Sequence, residues 1–430
     1  MYIKFLSGDF NMATLNDQDH KVEYLFLLVG ENPLPNYIAA RTLLKDNGTV
    51  YLVFSLSTTV QKKCIEEGLS NQNQIKEIIS IDLAKYESVG RQIYDRVKKK
   101  VPKVHSVGLN YTGGTKTMAV HAYKAIYEQR PDAIFSYIDS RHLSIRIDNN
   151  PEKFDIPIQI SLKELFKLHN NNYWLDNKPP QFEAYLPLIA ERLARIYSDK
   201  DFKKYEKQIE NEINQLKKII SELEEDIEQE IQSTLNTLRC VPQTLADNLN
   251  SCINDLSNEI NNNANQRDQL ALSEIKKWIN GGWLESYVLG EVKKIERDFH
   301  IKESGMNFYI KDPEYHNLDE RNEEDKARFE FDVAFIKGYQ LFAVSCATSA
   351  NHRSCKLKLF EAHLRARQLG GDEARTALVC CSENPGHIED EIRFAVRDKK
   401  IRVFGINQLQ NLAENIKMWI EDTEKDQEEN

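Results

Sequence analysis

The chain has 430 residues, a formal net charge of −10, and 29% charged against 41% hydrophobic residues. That length exceeds one typical core and predicts two or three globular domains, while the acidic balance excludes a surface coated in basic residues for nonspecific nucleic-acid binding, though not a local basic groove. No apolar run is long enough to cross a membrane, the N-terminus lacks a signal peptide's apolar core, and the seven cysteines form neither a CxxC pair nor a Cys/His zinc spacing. A cytoplasmic location, reduced thiols, no membrane and no structural zinc are therefore expected.

Residues 22–29 form a nearly continuous apolar run, as a buried parallel strand requires, and end in the turn-forming loop 30–36. A helix pattern through Ile38, Ala39, Leu43 and Leu44 closes at Asn47-Gly48. Residues 49–56 read as a second strand ending in Ser57-Thr58-Thr59, followed by a helix over 60–68, a strand over 77–81 and a helix over 86–100. Residues 106–118 then run strand, glycine turn, helix through Asn110-Tyr-Thr-Gly-Gly-Thr-Lys-Thr-Met118. A strand over 133–138 follows, and 143–147 alternates like an antiparallel edge strand.

Alternating strands and helices at this spacing predict a doubly wound, mostly parallel sheet whose ligands lie at the carboxyl ends of its strands. Loops 30–36, 55–59 and 110–117 land there. A strand–glycine–helix turn aims free N–H groups at an anion; Thr112, Thr115 and Thr117 add hydroxyls and Lys116 a mobile charge. The alternative is a plain helix-capped turn. Neither the P-loop spacing nor GxGxxG is present, and no acid closes the second strand for a ribose. A ligand with several phosphates on a broad surface suits the loops better than NAD.

Gly30 to Asn36 after the first strand and Asn110 to Met118 before a helix resemble the CARF (CRISPR-associated Rossmann fold) family over about the first 170 residues, with Ser161 to Leu168 leaving the domain. The resemblance implies a symmetric homodimer that senses a cyclic oligoadenylate, most often cyclic tetra-adenylate. It places Asn110, Thr112, Gly113, Gly114, Thr115 and Lys116 along the ligand, with Ser57 and Thr58 as partners and Pro33 and Asn36 beside them.

Loop signals at Asn170–Asn172 and Asn177–Pro180 mark a linker. From 201 to 238 the chain lacks Gly and Pro, and Ile209, Ile213, Leu216, Ile220, Leu223, Ile227 and Ile231 recur every three or four residues. With a break at Cys240-Val241-Pro242 and a second pattern from Leu245 to Ile260, this predicts an antiparallel helical hairpin. Its charged faces are either solvated or a pairing arm between protomers.

After Gly281-Gly282 a helix carries Glu285; 329–336 reads as a strand holding Asp332, Lys337–Gln340 as a hairpin turn, and 341–346 as the returning strand. A helix over 356–369, a strand over 376–381, a helix over 388–397 and a strand over 401–404 follow, and residues 421–430 form an acidic tail expected to fray. Helix, acidic β-hairpin, helix, strand resembles the PD-(D/E)xK nuclease module of CARF-linked nucleases. That likeness implies a Mn²⁺ or Mg²⁺ ion held by Asp332, Glu285 and the Cys346 position, beside a lysine that helps activate water.

The family's Glu-x-Lys, however, falls on Ser345-Cys346-Ala347. Three readings stay open: an engineered inactive variant with Ala347 in a lysine's place, chemistry migrated to Glu361 and Lys356 or Lys358 on the next helix, or a pseudonuclease that only binds. Asp332 and Glu330 as mere edge-strand charges complete the alternatives. Lys356, Lys358, Arg365 and Arg367, with His352 and Arg353 before them, are candidate phosphate contacts.

The expected architecture is α/β: a Rossmann-like CARF domain over 1–160, a helical linker with the hairpin over 161–272, and a PD-(D/E)xK nuclease-like domain over 273–430. The expected function is a cyclic-oligoadenylate-activated, metal-dependent nuclease of type III CRISPR antiviral defence, cutting DNA and/or RNA as a homodimer. The rivals are a sensor whose degenerate nuclease domain binds nucleic acid or protein without cutting, and a nucleotide-binding metabolic enzyme.

Overall fold

The computed structural model describes residues 20–169 (71, 73, 87, 140 and 141 excepted), 179–221, 247–259 (249, 250, 253 and 257 excepted), 274–311 (276 excepted) and 328–428. The first sheet holds β1 (Val22–Leu28), β2 (Leu44–Phe54), β3 (Ile75–Asp82), β4 (Val107–Asn110), β5 (Ile134–Asp139), β6 (Ser144–Ile147) and β7 (Lys153–Asp155) in the order β3-β2-β1-β4-β5-β6-β7. β1 to β5 pair in parallel, and β6 and β7 return antiparallel.

The apolar run of β1 is continuous because both faces are covered. Leu25 and Leu27 pack against α1 (Leu34–Leu43) and α2 (Thr59–Ser70), and Phe26 and Leu28 against α3 (Gly90–Lys98) and α4 (Lys116–Gln129). β1 leads into α1 on one face and its neighbour β4 into α4 on the other, so β1 and β4 flank the switch point where such sheets bind ligands. The first helix ends one residue before Leu44, and β2 begins there rather than at residue 49, with Asn47 bending the strand start at φ 60°.

α5 (Leu162–His169) leaves this sheet and docks on the second one. Phe166 is fully buried, 5.6 Å from the Phe308 ring and 6.1 Å from Phe331. The Leu162 N–H donates to the Glu303 carboxylate (2.7 Å) and the Ile160 N–H to the Gly338 carbonyl (2.9 Å). Burial holds the His169 imidazole down at about 4, hence neutral, while it bonds the Leu369 backbone. One apolar core therefore runs from α1 through α5 into the second sheet.

Of the predicted hairpin, α6 (Pro187–Tyr197) leads into α7 (Phe202–Ser221), the start of the first arm, whose continuation from residue 222 lies outside the described residues. The break at 240–242 lies outside the described residues. Where described, residues 247–259 are helical, with Cys252 and Leu256 buried in the second domain's core and Asp255 paired to Arg192.

The second sheet has the order β12-β11-β10-β9-β8, from β8 (Ile301–Lys311), β9 (Arg328–Lys337), β10 (Gln340–Ala347), β11 (Arg375–Cys380) and β12 (Ile401–Phe404). β9 and β10 form the expected hairpin across Gly338 (φ 61°), and β10, β11 and β12 are parallel. α8 (Trp283–Ile295) and α11 (Leu412–Glu428) cover one face; α9 (His352–Gly370) and α10 (Pro385–Val396) cover the other. Sequence reading missed β8, a sheet-edge strand whose alternation is diluted by Lys302, Glu303, Gly305 and Asn307. The acidic end expected to fray is helical backbone as far as Glu428. Among the described residues no helix is long and apolar enough to cross a membrane.

Candidate functional site

The first site is a cradle of about 350 Å³ at the switch point, lined by Gly30, Glu31, Asn32, Pro35, Ser55, Ser57, Thr58, Thr112, Gly113, Gly114 and Thr115. Its floor is backbone on backbone: a Cβ on Gly113 would fall 2.2 Å from the Leu28 carbonyl, and one on Gly30 would fall 3.0 Å from the Gly114 nitrogen. Gly114 adopts φ 73°, a conformation side chains disfavour. Thr115 caps α4, its hydroxyl accepting from the Met118 N–H at 3.2 Å, so the helix's positive end opens into the cradle.

Six of the ten residues expected at the ligand line this cavity: Ser57, Thr58, Thr112, Gly113, Gly114 and Thr115. Asn110 does not. It is fully buried beneath the loop, its carboxamide oxygen accepting from the Thr112 N–H (3.3 Å) and hydroxyl (2.8 Å) and its nitrogen donating to Ser136. It shapes the turn instead of facing a ligand. Pro33 is the residue before α1, and its place in the lining is taken by Pro35. Lys116 lies exposed one residue past the cap, outside the lining.

Asn36 is buried under the cradle, its nitrogen bound to the Leu28 carbonyl (2.9 Å) while its oxygen has no partner. Ser55, unpredicted, ties the 55–58 turn together through Thr58 (3.1 Å) and Ser57 (2.8 Å). Only the loop number, 55–59, signalled it in the sequence.

The second site is a carboxylate cluster on the second sheet. A π-type turn at Trp278–Gly282, with Gly281 at φ 151°, kinks the chain into α8 and puts Glu285 in that helix's first turn. β9–β10 pairing runs as far as Val333↔Val344. Just beyond it the Asp332 carboxylate accepts from the Cys346 N–H (2.6 Å) and the Ser345 hydroxyl (2.9 Å). Lys358 reaches the same oxygen from α9 at 3.5 Å and donates to the Cys346 carbonyl at 2.8 Å.

Burial, then the charges of Asp332 and Glu330, push Glu285 up to about 8. Burial pulls the Lys358 ammonium down, but Asp332, with Glu285, outweighs it and holds it above its ordinary value. The cluster thus sets Asp332 and Glu285 beside one cation, with Glu330 near Glu285. A cleft of about 660 Å³ opens beside Glu285 and Glu330, walled by Tyr185, Trp278 and Tyr309.

The structure joins Glu285, Asp332, Ser345 and Lys358 and leaves three predicted residues out. Glu361 is exposed on α9 and bonds to none of the cluster. The Cys346 thiol is buried in the apolar core and pushed well up by desolvation, so it offers no thiolate; only its backbone faces the cluster. Ala347 packs among Cys355, Leu359, Leu378 and Ile388. The expected basic groove is also largely paired: Lys356 with Glu391, Arg367 with Asp372, and Arg365 over the Phe329 ring. Hard oxygen donors under mutual repulsion fit a Mg²⁺- or Mn²⁺-class ion, whose charge would relieve the cost held at Glu285.

Residues 25–165 match the family model described as Card1 CARF domain, and residues 273–423 match Card1-like, endonuclease domain. The chain joins a Card1 CARF domain to a Card1-like endonuclease domain. Both resemblances seen in the sequence are thereby met. Among solved structures, protein VC1899 from Vibrio cholerae is similar at 14% identity and TM-score 0.63, covering 93% of this chain and 98% of that one. Can2 from Sulfobacillus thermosulfidooxidans, solved in complex with cyclic tetra-adenylate, is similar at 17% identity and TM-score 0.59, covering 93% and 97%. These likenesses concern the fold. No curated protein matches the chain.

Proposed function

We propose that this CARF endonuclease is switched on by a cyclic oligoadenylate, cyclic tetra-adenylate first, and then cleaves phosphodiesters in DNA and/or RNA as part of type III CRISPR defence. The cradle's N–H groups, threonine hydroxyls and helix end suit phosphates. Glu31 on the rim suits a ribose hydroxyl or adenine amino group instead, because its carboxylate repels phosphate. Leu56, Val60 and Val120 stand 73%, 58% and 63% exposed on the elements around the cradle, an apolar surface that a second copy would cover in a homodimer.

At the carboxylate cluster, Asp332 and Glu285, with Glu330, would hold Mg²⁺ or Mn²⁺, which supplies Lewis-acid polarisation of the phosphate. Lys358 stays protonated and stabilises the charge that develops on the phosphoryl oxygens. Its ammonium already stands beside Asp332, whereas a lysine at 347 would enter the apolar cluster around Cys355. We therefore read the Glu-x-Lys chemistry as migrated to α9 through Lys358, not lost.

The observation that carries the reading is α9 itself. Near its start it delivers Lys358 to Asp332, and just past its end a Cβ on Gly371 would fall 2.6 Å from the carboxamide nitrogen of Asn32, a cradle residue. The helix and the residue that ends it thus adjoin both sites, so a ligand that favours one position of the 30–36 loop biases the cluster.

The test pairs calorimetric titration of cyclic tetra-adenylate with Mn²⁺- or Mg²⁺-supported cleavage of plasmid and single-stranded substrates. Wild type, Lys358→Met and Ala347→Lys are compared. We expect micromolar or tighter ligand binding, ligand-stimulated cleavage by wild type, and none gained by Ala347→Lys. Cleavage by Ala347→Lys alone would instead identify an inactivated site, and cleavage by neither a binding module.

A further inference from the structure

We propose that His352, His387 and Glu391 form a binding site for a transition-metal ion of the zinc class, separate from the carboxylate cluster. Their ligand atoms all lie within 4.8 Å of one another, and among the described residues this is the one such trio. His352 opens α9, while His387 and Glu391 sit one turn apart on one face of α10. The His352 Nε2 lies 2.9 Å from the His387 Nδ1, and the Glu391 Oε1 lies 3.9 Å from His352 Nε2 and 3.6 Å from His387 Nε2. Zinc bonds of about 2.0–2.2 Å in a tetrahedron set ligand atoms roughly 3.3–3.6 Å apart. The observed separations bracket that value, and one His387 nitrogen, Nδ1 or Nε2, would bind the ion.

Lys356 holds the other carboxylate oxygen at 2.5 Å, a partner that orients the ligand and leaves Oε1 toward the imidazoles. Two imidazoles and one carboxylate select zinc, cobalt, nickel or copper over Mg²⁺, which prefers oxygen alone. The site is open to solvent beside a cavity of about 680 Å³ lined by Ala350, Ser382, Asn384 and Pro385, leaving room for water or a substrate oxygen as fourth ligand. An ion there staples the starts of α9 and α10 together. His352 precedes Lys358 by six residues, about 9 Å of helix, so the staple fixes the helix that supplies the nuclease cation.

The test uses the full chain, stripped with chelator and held in excess Mg²⁺ to fill the carboxylate cluster, titrated with Co²⁺. Expected are one ion per chain and tetrahedral d–d absorption without a thiolate charge-transfer band. Glu391→Gln and His387→Ala should each weaken binding by more than about 100-fold, and Lys356→Met by roughly 10-fold. Zn²⁺ should raise the unfolding temperature of wild type but of neither ligand variant. No Co²⁺ binding at micromolar concentration overturns the proposal, as does binding unchanged in both ligand variants, which circular dichroism confirms as folded.

Discussion

The cradle and the carboxylate cluster are built from different materials. The cradle is mostly main chain, with Gly113 pressed against the Leu28 carbonyl and Gly114 at φ 73°, so what matters there is the absence of side chains. The cluster is side chains from three elements, Glu285 on α8, Asp332 on β9 and Lys358 on α9, gathered around Asp332 as the common acceptor. A backbone site tolerates no added atom, whereas a side-chain site tolerates substitution wherever another element can deliver the same group. That difference explains how serine and alanine can stand at 345 and 347 while an ammonium still reaches Asp332.

Removing the hub should have the largest effect. Asp332→Ala deprives Ser345, Cys346 and Lys358 of their shared partner, and ligand-stimulated cleavage should fall on the order of 10³-fold with ring-nucleotide affinity unchanged. Lys358→Met should cost about 10²-fold, while Glu361→Gln, which touches none of the cluster, should leave cleavage within about two-fold. Equal losses from Glu361→Gln and Lys358→Met would sink the assignment of the migrated lysine. On the cradle side, Gly113→Ala should weaken cyclic tetra-adenylate binding by roughly 10–100-fold in calorimetry. The new methyl must displace the Leu28 carbonyl, at about 1–3 kcal/mol.

The same contrast governs what could be read from the chain. A backbone cradle is contiguous, so Thr112 to Thr115 announced it, as did the strand–turn–helix grammar around them. What stayed hidden was direction: Asn110 and Asn36 have the polarity of ligand contacts, but both turn under the loop to bind Thr112 and Leu28. In the cluster, Asp332 and Glu285 were legible from the helix–hairpin pattern. The choice between Lys356 and Lys358 was not, because two residues along a helix rotate a side chain to the opposite flank, and only packing shows that Lys356 meets Glu391. His352 and His387 stand 35 residues apart and meet only because β10 and β11 are parallel neighbours, a closeness that metal-motif spacing cannot register.

Acidity offers a finer test of the cluster. Glu285 binds its proton more tightly folded, at about 8, than unfolded. The folded state therefore carries the extra proton, and metal-free stability should be full below the ordinary carboxyl range and fall as pH rises through 8. At about 1.4 kcal/mol per unit the drop is of the order of a few kcal/mol. Glu285→Gln should flatten the slope in denaturant titrations at successive pH values. A slope equally steep in Glu285→Gln would place the proton elsewhere.

The smallest expected effect lies between the two sites. Gly371 sits at φ 70° and ψ −156°, a region essentially glycine's alone, with Asn32 against it, so Gly371→Ala adds about 1–3 kcal/mol of backbone strain and pushes on the cradle loop at once. Ligand binding and basal cleavage should each change only a few-fold. Their coupling should suffer more, because the contact joining loop 30–36 to the end of α9 is the one displaced. The readout is the ratio of ligand-stimulated to basal cleavage at saturating ligand. An unchanged ratio in Gly371→Ala would mean that the shared core around Phe166, not the end of α9, carries the signal between the sheets.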